Sequence, residues 1–343
     1  MIKITYLLLI FSIPLFSQDY QIKYPKIPNQ ITFCEEIVPV NQFDILERLE
    51  RELIVNTYWH SSTLLTYKRS KKYFPIIEQI LIKNNLPEDL KYIVVAESGF
   101  QNSTSPSGAK GFWQFKKGTA EEYNLEINTE IDERYHLEKA SQAACEYLNK
   151  LYNIFNDWTL AAAAYNMGEN ALKRNMNEQK VNNYYDLKLK EETSRYIFRL
   201  IAFKTIYENP EDYGFDIVVH NFQKNIETYN INVSESIEDL AKYALDLGIN
   251  YKIIKIFNPW ILNNNLTINN KSYKLIIPTQ NHVYINSNIN YDTIFYQIKK
   301  KDDIHQIARK FNVDVSQILY WNNIFPSEKL KKGNELIILQ YNE

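Results

Sequence analysis

Glu97 is the carboxylate whose position in this chain asks for chemistry. Leu90, Ile93 and Val94 mark the buried face of a helix with Pro87 in its first turn. Glu97 falls next on that face, at i+4 and i+3 from the last two. A carboxylate on an apolar stripe is costly unless it is paired or kept protonated by its surroundings. A carboxylic acid that keeps its proton near neutral pH is what general acid catalysis requires. Ser98-Gly99 then ends the helix and would set Glu97 at the rim of a cleft. By pattern alone, the same glutamate could also turn to solvent at the helix end.

Other chemistries find little support. The five histidines (His60, His136, His220, His282, His305) form no i, i+4 pair and have no cysteine companion, so no metal site is expected. The chain has eight glycines and neither of the Gly-rich phosphate-binding patterns, and no cofactor is expected. With 39 basic and 41 acidic residues the net charge is -2, which gives no basis for a nucleic-acid partner. Cys34 and Cys145 could form one disulfide in an oxidising compartment. Cys145, however, lies in a helical Ala-Ala-Cys-Glu-Tyr-Leu segment, where a buried free thiol is the commoner state.

The elements that must position Glu97 are helical. From Phe43 to Tyr207 the apolar spacing is helical nearly throughout: Ile45, Leu49 and Leu53, then Phe74, Ile77 and Leu81. Leu137, Ala140, Ala144, Leu148, Leu151 and Phe155 form the longest stripe. Asp157 is placed to cap a helix from Trp158 to Asn166 that stops at Gly168. Tyr196, Leu200, Phe203 and Tyr207 mark a last helix before Asn209-Pro210. Beyond Gly214 the pattern changes to strand, helix, helix, strand, once over 225–278 and again over 293–340, with a polar linker at 279–292. Residues 1–17 read as an export signal, with Lys3, an apolar run to Phe16 and Ser17 before Gln18. An uncleaved anchor is the alternative. Elsewhere no run approaches the ~20 apolar residues of a spanning helix.

Three blocks carry a resemblance. Glu97-Ser98-Gly99-Phe100, then Ser105-Pro106-Ser107-Gly108-Ala109-Lys110-Gly111-Phe112-Trp113-Gln114-Phe115, then Ala164-Tyr165-Asn166-Met167-Gly168 resemble the lytic transglycosylases. These are lysozyme-like enzymes of the soluble-transglycosylase and goose-lysozyme type. The likeness is strongest to the membrane-bound transglycosylase D group. Asp132-Glu133-Arg134, Asp157-Trp158 and Glu192-Thr193-Ser194-Arg195-Tyr196 add to it. The chain departs from the family at Lys116-Lys117, Glu191 and Phe198, which bear on subsite shape rather than on the acid. Ile294 to Leu339, with Trp321-Asn322-Asn323 and Lys332-Gly333, resembles a LysM module. The earlier copy, with Asn258-Pro259-Trp260, is similar to a degenerate relative.

The resemblance implies a mainly α protein. A lysozyme-like all-α catalytic domain at 73–214 would follow a helical extension at 18–72 and precede two small α+β, LysM-like modules. It implies an exported monomer of the periplasm or cell envelope, with peptidoglycan glycan strands as partner and no stable membrane span. Glu97 would be the catalytic acid and base. Ser105, Gln114 and Tyr165 would hydrogen-bond substrate near it, and Asn166 would brace its loop. Glu192 and Tyr196 would belong to the cleft wall. Trp113 could stack on a sugar or fill the core. Most glycosidases need a second carboxylate as base or nucleophile, but a transglycosylase does not, because the sugar supplies its own nucleophile. The other implied readings are a hydrolytic muramidase and a wall-binding protein without activity.

Overall fold

The computed structural model describes residues 24–215, 226–279 and 291–341, apart from 301, 314, 323 and 325–329. The expected export signal at 1–17 and nearly all of the expected linker at 279–292 lie outside the described residues.

The described residues open with a hairpin of β1 (Thr32–Phe33) and β2 (Glu36–Ile37), turning through Cys34 and Glu35 at φ 52° and 66°. Helix α1 (Phe43–Tyr58) buries Ile45, Leu49 and Leu53, as the spacing requires, and packs along α8. Helix α2 (His60–Lys83) runs unbroken through Pro75, so the domain boundary expected at 72/73 falls inside one helix. Tyr67 and Ser70 before the proline and Ile77 and Leu81 after it are all buried, and this packing offsets the one hydrogen bond that proline removes. The segment expected as an extension is therefore part of the helical core.

Pro87 stands just outside its helix rather than in its first turn. Its ψ of 136° lets Leu86 and Leu90, on either side, both reach the core. A 3-10 turn (Glu88–Lys91) leads into α3 (Tyr92–Ser98), followed by α4 (Lys117–Glu122) and a second 3-10 turn (Glu133–Tyr135). Helix α5 (Leu137–Phe155) presents Ala140, Ala143 and Ala144 to α6 (Trp158–Met167), whose four alanines 161–164 are fully buried. Small residues on both helices allow this close approach. Asp157 caps α6 by accepting from the Leu160 N–H at 2.6 Å. Helices α7 (Glu169–Gln179) and α8 (Glu191–Glu208) and a 3-10 turn (Pro210–Tyr213) complete the domain. Cys34 and Cys145 are both buried and free.

Two βααβ modules follow. The first contains β3 (Thr228–Val233), α9 (Leu240–Asp246), α10 (Tyr251–Phe257) and β4 (Tyr273–Pro278). The second contains β5 (Tyr291–Gln297), α11 (Ile304–Phe311), α12 (Val315–Trp321) and β6 (Glu335–Tyr341). In each, first and last strands pair antiparallel. The repeat extends to single hydrogen bonds. Asp239 and Asp303 both cap the first helix. Asn258 donates to the carbonyls of Ile254 and Ile276 and accepts from the Ile276 N–H; Asn322 does the same with Ile318 and Ile337.

The first module is docked on the helical domain. Ile131 and Ile261 form an antiparallel bridge, and Leu262 N–H donates to Glu130 O at 2.7 Å. The Glu130 carboxylate accepts from Thr267 N–H at 2.9 Å and Asn265 Nδ2 at 2.7 Å, and these donors hold it below the ordinary glutamate range. Lys271 and Tyr273 both reach Glu126. His136 lies against Trp260, and burial, helped by Lys139 and Lys274, pushes its imidazole down to about 4. The interface therefore carries no charge change at His136 around neutral pH.

Asn258 is fully buried. Asn258→Ala should cost about 2–4 kcal/mol, because it orphans backbone groups inside the module. Asn322→Ala, whose strand contacts lie nearer the surface, should cost less. Urea unfolding followed by tryptophan fluorescence checks the order.

Candidate active site

Glu97 sits in the last turn of α3, which stops at Gly99 in the left-handed conformation (φ 54°). Phe100 follows at φ 61°, a strained value for a bulky residue. Ring contacts with Tyr73 and Phe74 hold it there, and Arg69 donates to the Gly99 carbonyl at 3.1 Å. The backbone therefore leaves the helix abruptly, and Glu97 remains half-buried at its end.

Two neutral donors meet the carboxyl. Tyr196 O–H on α8 donates to Glu97 Oε1 at 2.8 Å, and the Asn166 side chain at the end of α6 adds a second hydrogen bond. Burial pushes the Glu97 carboxyl above the ordinary glutamate value. Its effect outweighs the opposing pull of both hydrogen bonds and of the Arg199 guanidinium, while the charge of Glu192 adds to the rise. The C-terminal end of a helix also disfavours a negative charge. Burial and the nearby Glu97 push the phenols of Tyr165 and Tyr196 far up, so both act as neutral donors. Among the described residues no group of three His, Cys, Asp or Glu side chains could hold a metal ion.

The remaining expected residues divide. Tyr165 O–H donates to the Trp113 carbonyl at 2.8 Å, which ties α6 to the loop before α4. Ser105 Oγ accepts from the Ala109 N–H at 3.0 Å and contacts Ser107, so it shapes its own turn. Gln114, at φ 51°, donates from Nε2 to the carbonyls of Ser103 and Gly111. Asn166, expected to brace its loop, lies beside Glu97 and favours its ionised form. Glu192 is exposed and acts on Glu97 through charge. Trp113 is completely buried with Nε1 on Ser141 Oγ at 2.8 Å, so it is a core aromatic and not a sugar platform.

Arg134 holds the loop over 105–115 from beneath. It pairs bidentately with Asp132 (2.9 and 2.7 Å) and donates to the carbonyls of Gly108 and Phe115. Burial would raise the Asp132 carboxyl, but Arg134 and Lys110 overcome it and hold the group below its ordinary value. Gly111 (φ 79°) lies against this support. A Cβ there would meet the Arg134 carbonyl oxygen at 1.8 Å, so no side chain fits.

Two supports were missed in the sequence. Glu36, on the N-terminal hairpin, accepts from the N–H groups of Trp158 and Thr159 and so caps the helix that carries Tyr165 and Asn166. Glu52, on α1, is buried between Arg51 of its own helix and Arg195 and Arg199 of α8. Only the second left a signal: Glu52 falls on the apolar stripe of α1, three residues after Leu49.

Residues 74–187 match the family described as Transglycosylase SLT domain, 229–281 the Soluble lytic transglycosylase C-terminal LysM-like domain, and 296–338 the LysM domain. The chain thus carries a transglycosylase SLT domain followed by two LysM-type domains. It is 26% identical over 316 residues to membrane-bound lytic murein transglycosylase D of Escherichia coli (strain K12), across 86% of this chain and 68% of that one. The same protein of a second Escherichia coli strain matches equally. A solved structure of an inactive mutant of lytic transglycosylase Slt from Pseudomonas aeruginosa is 16% identical, with a TM-score of 0.32. That match covers 44% of this chain and 26% of the Slt chain.

The raised carboxyl of this transglycosylase has a consequence for stability. Burial in the fold disfavours ionised Glu97 relative to the unfolded chain. The folded state therefore loses stability as pH rises through the folded pKa, and suffers no such loss below the unfolded value. Glu97→Gln, neutral at every pH, should raise Tm by about 2–4 °C at pH 8 and leave it unchanged near pH 4. Calorimetry at the two pH values checks this.

Proposed function

We propose that this lytic transglycosylase cuts the β-1,4 bond between N-acetylmuramic acid and N-acetylglucosamine in peptidoglycan, with Glu97 as its single acid and base and a 1,6-anhydromuramoyl end as product. The observation that carries the reading is the setting of Glu97: a carboxyl raised by burial, touched by Tyr196 and Asn166, neither of which is a carboxylate. Such a group starts protonated and gives its proton to the glycosidic oxygen as the bond to muramic C1 breaks. The substrate's N-acetyl group stabilises the cationic centre. Glu97, now a carboxylate that Tyr196 and Asn166 can hold by hydrogen bonds, takes the proton from the C6 hydroxyl while O6 closes on C1. Intramolecular attack has a large effective molarity, so ring closure outruns water.

Ser105, Gln114, Tyr165 and Glu192 line the path of the glycan in this reading, with Tyr196 and Asn166 at the reacting centre. The two LysM-type modules hold the strand near the cleft. Residues 1–17 direct export, and the cell envelope is where this substrate lies. Among the described residues no helix is long and apolar enough to cross a membrane.

Mass spectrometry of digested sacculi tests the reading. Glu97→Gln keeps size but removes the transferable proton, and should lower the rate by about 10²–10⁴-fold or more. Wild type should release anhydro ends and no reducing muramic ends. Reducing ends in quantity would mean hydrolysis, and a Glu97→Gln protein above about a tenth of wild-type rate would remove Glu97 from its role.

A further inference from the structure

Glu52 lies on α1, only 1% exposed. Three guanidinium groups surround it. Arg195 Nε is 2.6 Å from Oε1, Arg51 Nη1 2.8 Å from Oε1, and Arg199 Nε 3.9 Å from Oε2. Arg195 and Arg199 stand one turn apart on α8, and Tyr196, whose phenol meets Glu97, lies between them. A second tie joins the same two helices, from Arg48 Nη2 to the Ser194 carbonyl at 2.6 Å.

We propose that Glu52 is a positioning residue for the transglycosylase reaction: it clamps Arg195 and Arg199 to α1, fixing the Tyr196 phenol on Glu97 and offsetting the Arg199 charge beside the catalytic carboxyl. This rests on Glu97 being the acid. Arg199 is the cation that favours ionised Glu97. The other groups facing Glu97 are Glu192 and Tyr196 from α8, and Tyr165 and Asn166 from α6. Around Glu52 stand Arg51 of its own helix, Arg195 and Arg199 of α8, Glu191 beyond them, and Tyr184 of the preceding loop. Glu52 sets one buried negative charge among three guanidinium groups, and so offsets part of the cationic field that Arg199 sends to Glu97. Without Glu52, Glu97 meets an uncompensated cation. Its proton then leaves at lower pH.

The test is the pH dependence of kcat/KM on soluble glycan strands, with the full chain, for wild type, Glu52→Gln, Arg199→Gln and the double variant. The alkaline limb, where Glu97 loses its proton, should move about 0.5–1 pH unit lower in Glu52→Gln and higher in Arg199→Gln. The double variant should fall between the two. The Glu52→Gln loss should be several-fold on the alkaline limb of the wild-type profile, should appear in kcat rather than KM, and should largely vanish on the acid side. A purely structural role would lower activity alike at every pH, and an unmoved limb in folded Glu52→Gln would overturn the proposal. If circular dichroism shows Glu52→Gln unfolded, the double variant decides, since it removes both charges together. A limb below that of Arg199→Gln supports the proposal, and a coincident limb overturns it. An active Glu97→Gln protein would instead defeat the catalytic reading on which this one rests.

Discussion

A single carboxyl group kept largely out of water at the end of a seven-residue helix is the constraint on which the catalytic domain turns. It costs stability when ionised, and in the proposed reaction the fold must oppose its ionisation enough to make it an acid, yet still accept the carboxylate formed when the proton is given up. Burial does the first. The Tyr196 phenol and the Asn166 amide do the second, as fixed neutral donors whose bonds strengthen when charge appears. Neither brings a full charge that would strip the proton beforehand. Arg199 is the exception, a cation that favours ionised Glu97 and that also stands 3.9 Å from buried Glu52.

Three helices converge on that carboxyl, and each is fixed from elsewhere. The hairpin residue Glu36 caps α6, Glu52 of α1 ties down α8, and Arg69 of α2 takes the carbonyl at the end of α3. The segment before residue 73 is thus the frame of the site. The loop carrying Ser105 and Gln114 rests on Arg134, with Gly111 admitting no side chain because the support passes directly beneath it.

The two modules repeat one solution at different settings. Both use an asparagine to tie the end of the second helix to the last strand, yet the first also meets the helical domain through Glu126, Glu130 and Ile131. Its Trp260 lies buried beside His136 and Tyr273. The two modules also share one apolar cluster, joined by Gln317 donating to the Asp246 carbonyl at 2.6 Å. The helical domain is therefore packed directly against the first module.

Local periodicity determined the α3 stripe ending in Glu97, the cap at Asp157, the stripe of α5 and the order of elements in both βααβ repeats, because each element depends on residues within a turn or two of one another. Trp113 had two readings in the sequence, and the position of Ser141 on α5 settled it as core. Glu52 carried the same anomaly as Glu97, a carboxylate on an apolar stripe, but no local feature says which cations will surround it. Only the tertiary structure could place Tyr196 on a carboxyl 99 residues away, Glu36 on a helix start 122 residues away, and Arg195 on Glu52 across 143. Such contacts depend on the angle and register at which whole helices pack, and those follow from the summed shape of the core rather than from the spacing of residues along any one helix.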